Sequence, residues 1–162
     1  MGKTQIGEIS FDIDDSWLVG SFTFRGPAEK AIKPTLAMAS VKKEEKSTFR
    51  KNLVVQIQEV EGTITAMQYY EKQMEQITKH RIPYERATEP ETILISGTEA
   101  VKVEQIATSP TGERIRQIQV YAIKNQRAYI FAVANLEGIP FNKDRATLEQ
   151  ILNTININDL QR

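Results

Sequence analysis

The residues with reactive side chains are few in this sequence, and their spacing forms no catalytic or metal-binding motif. His80 is the only histidine and the 162 residues contain no cysteine, so a transition-metal site is not expected. Ser96-Gly97 is typical of a turn, and the Gly-x-Ser-x-Gly elbow of serine hydrolases is absent. We therefore predict that the protein is not an enzyme and has no cofactor and no metal. The alternative left open is a hydrolase or metal enzyme that uses dispersed carboxylates.

Composition narrows the class of partner. Lys and Arg number 21 and Asp and Glu number 21, so the formal net charge is zero, which argues against a nucleic-acid-binding protein. No stretch approaches the ~18–20 apolar residues of a membrane helix, so no stable membrane insertion is expected. The start, residues 1–6, lacks the apolar segment of a secretory leader. We therefore expect a cytoplasmic protein, with a leader removed from the chain as the alternative.

Hydrophobic periodicity predicts two helices among short strands. Alternating apolar residues predict strands at 9–13, 19–25, 36–41 and 53–57, and then around 93–95, 101–103, 118–122 and 129–133. Met67, Tyr70, Met74 and Ile77 recur at helical spacing, which predicts a first helix from about Thr65 to about Arg81.

The second helix is predicted from Leu148, Ile151, Leu152 and Ile155, with Asp144 in its first turn. Runs of consecutive strands favour antiparallel pairing. We therefore predict an α+β protein, an antiparallel β-sheet flanked by two main α-helices, in a single domain over residues 1–162.

Turn signals predict the register of the last three strands. A four-residue turn at 109–112 would pair Val103 with Ile118 and Val101 with Val120. A two-residue turn at Asn125-Gln126 would pair Val120 with Phe131, Ile118 with Val133 and Ala122 with Tyr129. Both registers place the bulky apolar residues on one face of the sheet.

The opposite face then carries an unusual set of residues. The set comprises Lys102, Glu104, Gln117, Gln119, Tyr121, Ile130, Ala132 and Ala134. Burying an unpaired glutamine amide costs ~1–3 kcal/mol, so this face is not expected to be dry core. Either water solvates it, or another polypeptide with polar groups of its own covers it. Small alanines beside amide donors form a floor that a helix can approach closely.

Five segments of the chain together resemble the DcrB-related family, whose members have a PsbP-like fold. They are Ile9-Ser10-Phe11-Asp12-Ile13 with Trp17, Asn52-Leu53-Val54-Val55 leading to Tyr69-Tyr70, Gly97-Thr98-Glu99-Ala100, Arg116-Gln117-Ile118-Gln119, and the tail from Phe141 to Ile155. The resemblance covers about the whole chain. It implies an antiparallel sheet with flanking helices, a PsbP-like α/β sandwich.

The resemblance implies two branches of function. One branch comprises the Eag-type chaperones of type VI secretion, which are cytoplasmic homodimers that hold the transmembrane helices of an effector before delivery. The other comprises exported or membrane-peripheral accessory proteins of DcrB or PsbP type. The missing leader favours the first branch. We therefore predict a chaperone or adaptor whose partners are the hydrophobic helices of a secreted effector and, in a homodimer, a second copy of itself.

The predicted partner-binding residues come from two sources. Gln117 and Gln119 are carried over from the glutamine-bearing strand of the family, and Tyr121, Ala132 and Ala134 are added by register. Further candidates, for which an ordinary core role is the alternative, are Phe22, Phe24, Met38 and Val55.

Overall fold

The computed structural model describes residues 2–6, 8–14, 17–23, 35–41, 49, 51–60, 62–81, 83–109 and 111–158. The strands before the first helix are β1 (Gly2–Ile6), β2 (Ile9–Ile13), β3 (Trp17–Thr23), β4 (Thr35–Val41) and β5 (Asn52–Glu59). Helix α1 (Ala66–Lys79) is followed by β6 (Tyr84–Arg86), β7 (Glu91–Ile95), β8 (Thr98–Thr108), β9 (Arg114–Lys124) and β10 (Arg127–Leu136). The described part ends with α2 (Ile139–Asn153) and β11 (Asn156–Ile157).

The strands form two antiparallel sheets. The large sheet has eight strands in the order β3-β4-β5-β10-β9-β8-β6, with β7 also pairing with β8. The small sheet has the order β1-β2-β11. The α+β class and the antiparallel pairing agree with the sequence prediction, whereas β1, β6 and β11 were not predicted. That residues 1–162 form a single domain stays a prediction.

Two buried clusters lie on opposite faces of the large sheet. The main core contains Phe131, Val133 and Ile118 from the sheet, together with Leu148 and other residues of α2. The second cluster joins Tyr69 and Tyr70 of α1 to residues of β8 and β9. Neither helix of the described part is long and apolar enough to cross a membrane.

The first helix begins where the sequence predicts. Thr65 is the N-cap, and its side chain accepts a hydrogen bond from the backbone N–H of Gln68 at 3.1 Å. The Gln68 side chain accepts one from the Thr65 backbone N–H at 3.0 Å. This reciprocal capping box satisfies two donors that a helix start leaves without partners.

The second helix begins earlier than the position of Asp144 suggested. Pro140 lies in its first turn, where the missing N–H costs no hydrogen bond. The prediction that Asp144 lies in the first turn is therefore wrong. Its carboxylate instead accepts hydrogen bonds from Asn135 at 2.9 Å and Lys51 at 3.2 Å, which joins α2 to β10 and to the start of β5.

The predicted register between β9 and β10 is confirmed. Val120 pairs with Phe131, Ile118 with Val133 and Ala122 with Tyr129. The connecting turn consists of Asn125 and Gln126, with φ angles of 53° and 61°. Two successive positive φ values characterise the type I′ turn, whose twist matches that of a two-residue hairpin.

The predicted register between β8 and β9 is wrong by one residue. Val103 pairs with Gln119 and Val101 with Tyr121, because the loop between the strands spans residues 109–113. Ser109 organises this longer loop: its N–H donates to the Glu113 carbonyl at 2.8 Å, and its hydroxyl accepts from the Glu113 N–H at 3.1 Å. Side chains alternate along a strand, so the one-residue shift reverses the face of every β8 side chain relative to the prediction.

Replacing Gln126 by glycine is expected to stabilise the protein. A non-glycine residue in the left-handed region costs about 1–2 kcal/mol, and glycine removes that cost. We expect Gln126→Gly to raise the free energy of unfolding by about 1 kcal/mol in urea denaturation. The matched control is Gln76→Gly in the exposed part of α1, which is expected to lower it by a similar amount. A loss of stability in Gln126→Gly would contradict the assigned turn.

Candidate functional site

The glutamine face is the face of the large sheet that carries Gln117 and Gln119, opposite the main core. Residues that pair with one another on neighbouring strands form rows across this face. The central row consists of Met38, Val54, Ala132, Gln119 and Val103. The next row contains Asn52, Ala134, Gln117, Gln105 and Arg86. Gln117, Gln119, Ala132 and Val54 are all half-buried.

Four side chains on this face form a hydrogen-bonded chain, here called the amide ladder. The Tyr121 hydroxyl donates to Gln119 Oε1 at 2.6 Å, and Gln119 Nε2 donates to Gln117 Oε1 at 3.2 Å. Gln105 Nε2 donates to the same Gln117 oxygen at 3.2 Å. The glutamine oxygens at 117 and 119 are thereby occupied, and both side chains retain N–H donors for a further acceptor.

Gln105 forms the buried end of the ladder. It is only 5% exposed, and its Oε1 has no hydrogen-bond partner within the described residues. A buried acceptor without a donor is costly. The Gln105 oxygen is too buried for a ligand to reach, so the groups of the ladder that a ligand can contact are the unused N–H donors of the half-buried Gln117 and Gln119.

Tyr121 lies beneath α1 and is too buried to contact a partner. It is 3% exposed, and its ring meets Tyr70 edge-on at 5.3 Å and Tyr69 at 6.3 Å. Burial, with the neighbouring tyrosines, raises the pKa of Tyr121 well above its usual range, and burial raises the pKa of Tyr69 to about 12. Tyr121 therefore remains a neutral donor that orients Gln119.

The remaining predicted residues divide between the two faces. Ala134 pairs with Gln117 and is only 2% exposed, so it offers a partner little surface. Phe22 and Met38 occupy register positions on the glutamine face, and Phe24 lies outside the described residues. Val55 is 3% exposed in the main core, where it pairs with Phe131, so it belongs to the core and not to this surface.

Two predicted members of this face lie on the other side of the sheet. Lys102 pairs with Val120 and Glu104 with Ile118, both of which are core residues. Glu104 contacts Arg145 at 2.7 Å and Arg116 at 3.2 Å, while Lys102 lies 3.9 Å from Glu149 of α2. The pairs with Arg145 and Glu149 link the sheet to α2, and the pair with Arg116 joins β8 to β9. The glutamine face is therefore more apolar and less charged than the sequence predicted.

Val103 and Gln105 lie on the glutamine face at the positions predicted for Lys102 and Glu104. Sequence reasoning missed both, because the predicted loop was one residue short. The signal that could have found them is Ser109, whose hydroxyl caps the Glu113 N–H and so favours a longer loop. Among the described residues, no group of three or more histidine, aspartate or glutamate side chains is placed to hold a metal ion.

Comparison with known proteins decides the family. The DcrB family model matches residues 8–154, which is most of the chain. The chain belongs to the DcrB family. No curated protein sequence gives a significant match.

Two solved structures share the fold of this DcrB family member. The solution structure of cyanobacterial PsbP (CyanoP) from Synechocystis superposes with a TM-score of 0.63 at 12% identity, covering 93% of this chain and 86% of that one. A Pseudomonas aeruginosa protein described as a putative regulator of unknown function superposes with a TM-score of 0.54 at 16% identity, covering 100% and 97%. The PsbP-like fold expected from the sequence is thereby confirmed.

Two substitutions test the bond from Tyr121 to Gln119. Gln119→Ala leaves the buried Tyr121 hydroxyl without its acceptor and is expected to lower the free energy of unfolding by about 1–3 kcal/mol. Tyr121→Phe leaves only a half-buried amide that water reaches, so we expect a loss of about 0.5–1.5 kcal/mol. Urea denaturation of both variants measures the difference. Equal stability of wild type and Gln119→Ala would show that the bond does not form in solution.

Alkaline pH is expected to destabilise the protein through the buried tyrosines between α1 and the sheet. An unfolded tyrosine ionises near pH ~10, whereas folded Tyr69 holds its proton to about 12. The folded state thus binds more protons above pH ~10, and its stability falls as the pH rises from there toward 12. The denaturation midpoint measured from pH 8 to 11.5 should decline less steeply in Tyr69→Phe than in wild type. Identical slopes would contradict the raised pKa.

Proposed function

We propose that this DcrB family member is a non-enzymatic chaperone or adaptor that binds apolar, transmembrane-type helices of a secreted effector. The observation that carries the proposal is the amide ladder on a half-exposed sheet face, opposite the main core. That face combines apolar residues with polar groups that retain hydrogen-bonding capacity. Delivery of the effector to a contractile secretion system, a homodimeric state and a cytoplasmic location belong to the same proposal.

A transmembrane-type helix in water needs its apolar area covered and its polar side chains paired, and this surface offers groups for both. A transmembrane helix in water exposes apolar area at about 25 cal/mol per Å², and a protein surface that covers it removes that penalty. Any Ser, Thr or Asn side chain within such a helix also needs a partner, because a buried unpaired polar group is costly. Val54 and Ala132, which are half-buried, supply apolar contact, and Gln117 and Gln119 supply donors beside them.

Two test helices measure this binding directly. Each is a 20-residue Leu/Ala helix with terminal lysines, fused to a soluble carrier, and one of the two has a single central Asn. We expect the wild-type chain to bind both and to bind the Asn helix more tightly. The double variant Gln117→Leu/Gln119→Leu should lose about tenfold in affinity for the Asn helix, about 1.4 kcal/mol, and none for the purely apolar helix.

The matched control is Gln150→Leu, an exposed glutamine on α2, on the core side of the sheet. It should bind both helices as the wild type does. Failure of the wild type to bind either helix, or an equal loss in the control, would overturn the proposal. Binding to phospholipid vesicles that the double variant retains in full would instead support the alternative, an exported or membrane-peripheral accessory protein of DcrB or PsbP type.

A further inference from the structure

The glutamine face continues into an apolar strip at one end of the sheet. Four half-buried residues, here called the terminal strip, form the next row beyond Gln117: Tyr84 pairs with Ala107, Ala107 with Ile115, and Ile115 with Leu136. Ile115 is two residues from Gln117 along β9, and Leu136 is two residues from Ala134 along β10. Because side chains alternate along a strand, the terminal strip lies on the same face as the amide ladder.

The terminal strip lies outside both buried clusters. None of its four residues belongs to the main core or to the cluster beneath α1. The α1 cluster lies at the other end of this face, where it contains Val101, Tyr121 and Ala128. Arg114 and Glu85, which form an ion pair at 2.6 Å, alternate with Ile115 and Tyr84 along their strands and therefore lie on the opposite face of the sheet. The strip is thus an apolar row on the glutamine face, next to the amide ladder.

We infer that the terminal strip is a second contact surface for the same apolar helix that the amide ladder binds. This inference rests on the proposed function. The rows of Gln117 and Gln119 span only about 7 Å along the strands, whereas a 20-residue helix is about 30 Å long. The strip extends the contact surface along β9, where Gln119, Gln117 and Ile115 are all half-buried and lie on one face.

For a partner helix that lies along β9, the strand geometry also specifies the spacing of its polar and apolar residues. Gln119 and Ile115 are four residues apart on β9, which corresponds to about 13 Å and therefore to about nine residues of α-helix. Gln117 is about 7 Å from the strip, or about five helical residues. The partner is therefore an apolar helix with one hydrogen-bonding side chain about five to nine residues from the purely apolar segment that covers Ile115 and Leu136.

Binding of the Asn test helix to strip variants tests the inference. Leu136→Asn should weaken binding about tenfold, and Ile115→Thr, which preserves strand propensity, should weaken it several-fold. The matched control is Leu94→Asn, which removes a leucine that is 71% exposed on β7, outside the strip. A photoactivatable leucine placed nine residues from the Asn should crosslink to residue 115 or 136, as located by mass spectrometry. Thermal unfolding of each variant verifies that it folds.

The outcomes separate the strip from the ladder. If both strip variants bind as the wild type does and the crosslinks lie elsewhere, the strip inference is overturned while the glutamine variants still report on the ladder. If no test helix binds the wild type, the proposed function itself fails, and the inference fails with it. If Leu136→Asn changes the sedimentation of the chain alone, the strip is a contact between copies, which also overturns the inference.

Discussion

The pairing of β9 with β10 is the constraint on which the two faces of this protein depend. Val120 opposite Phe131 and Ile118 opposite Val133 place large apolar side chains in the main core. The same register places Gln119 opposite Ala132 on the other side. A shift of one residue would bury the amides and expose the core residues, so one register gives both a stable interior and a polar-apolar surface.

Helix α1 divides the glutamine face into a covered part and a half-exposed part. Tyr69 and Tyr70 enclose Tyr121, so its hydroxyl acts within the protein by fixing Gln119. The half-exposed part runs from the Gln119 row to the terminal strip. A surface of this composition combines apolar area with fixed hydrogen-bonding groups, which are the two features that a helix built for a membrane requires when it is in water.

The charged residues of β8 are positioned by the same strand geometry. Glu104 and Lys102 face α2, where Arg145, Arg116 and Glu149 surround them. Removing these charges from the glutamine face leaves Val103 and Gln105 there instead. The sheet thus separates an ion-pair network that anchors α2 from a face whose central polar groups, Gln117 and Gln119, are neutral amides. Neutral amides are less costly to cover with an apolar partner than charges are.

Sequence alone determined the features that depend on neighbouring residues. The two-residue turn at Asn125-Gln126, the alternation along β9 and β10, and the start of the first helix near Thr65 are local, so the sequence predicted them correctly. The register of β8 was predicted wrongly because the Ser109 hydroxyl closes a five-residue loop where four were expected, although this contact is also local in sequence. The enclosure of Tyr121 and the burial of Val55 were decided by packing between distant segments, since local periodicity gives the face of a side chain but not what covers it.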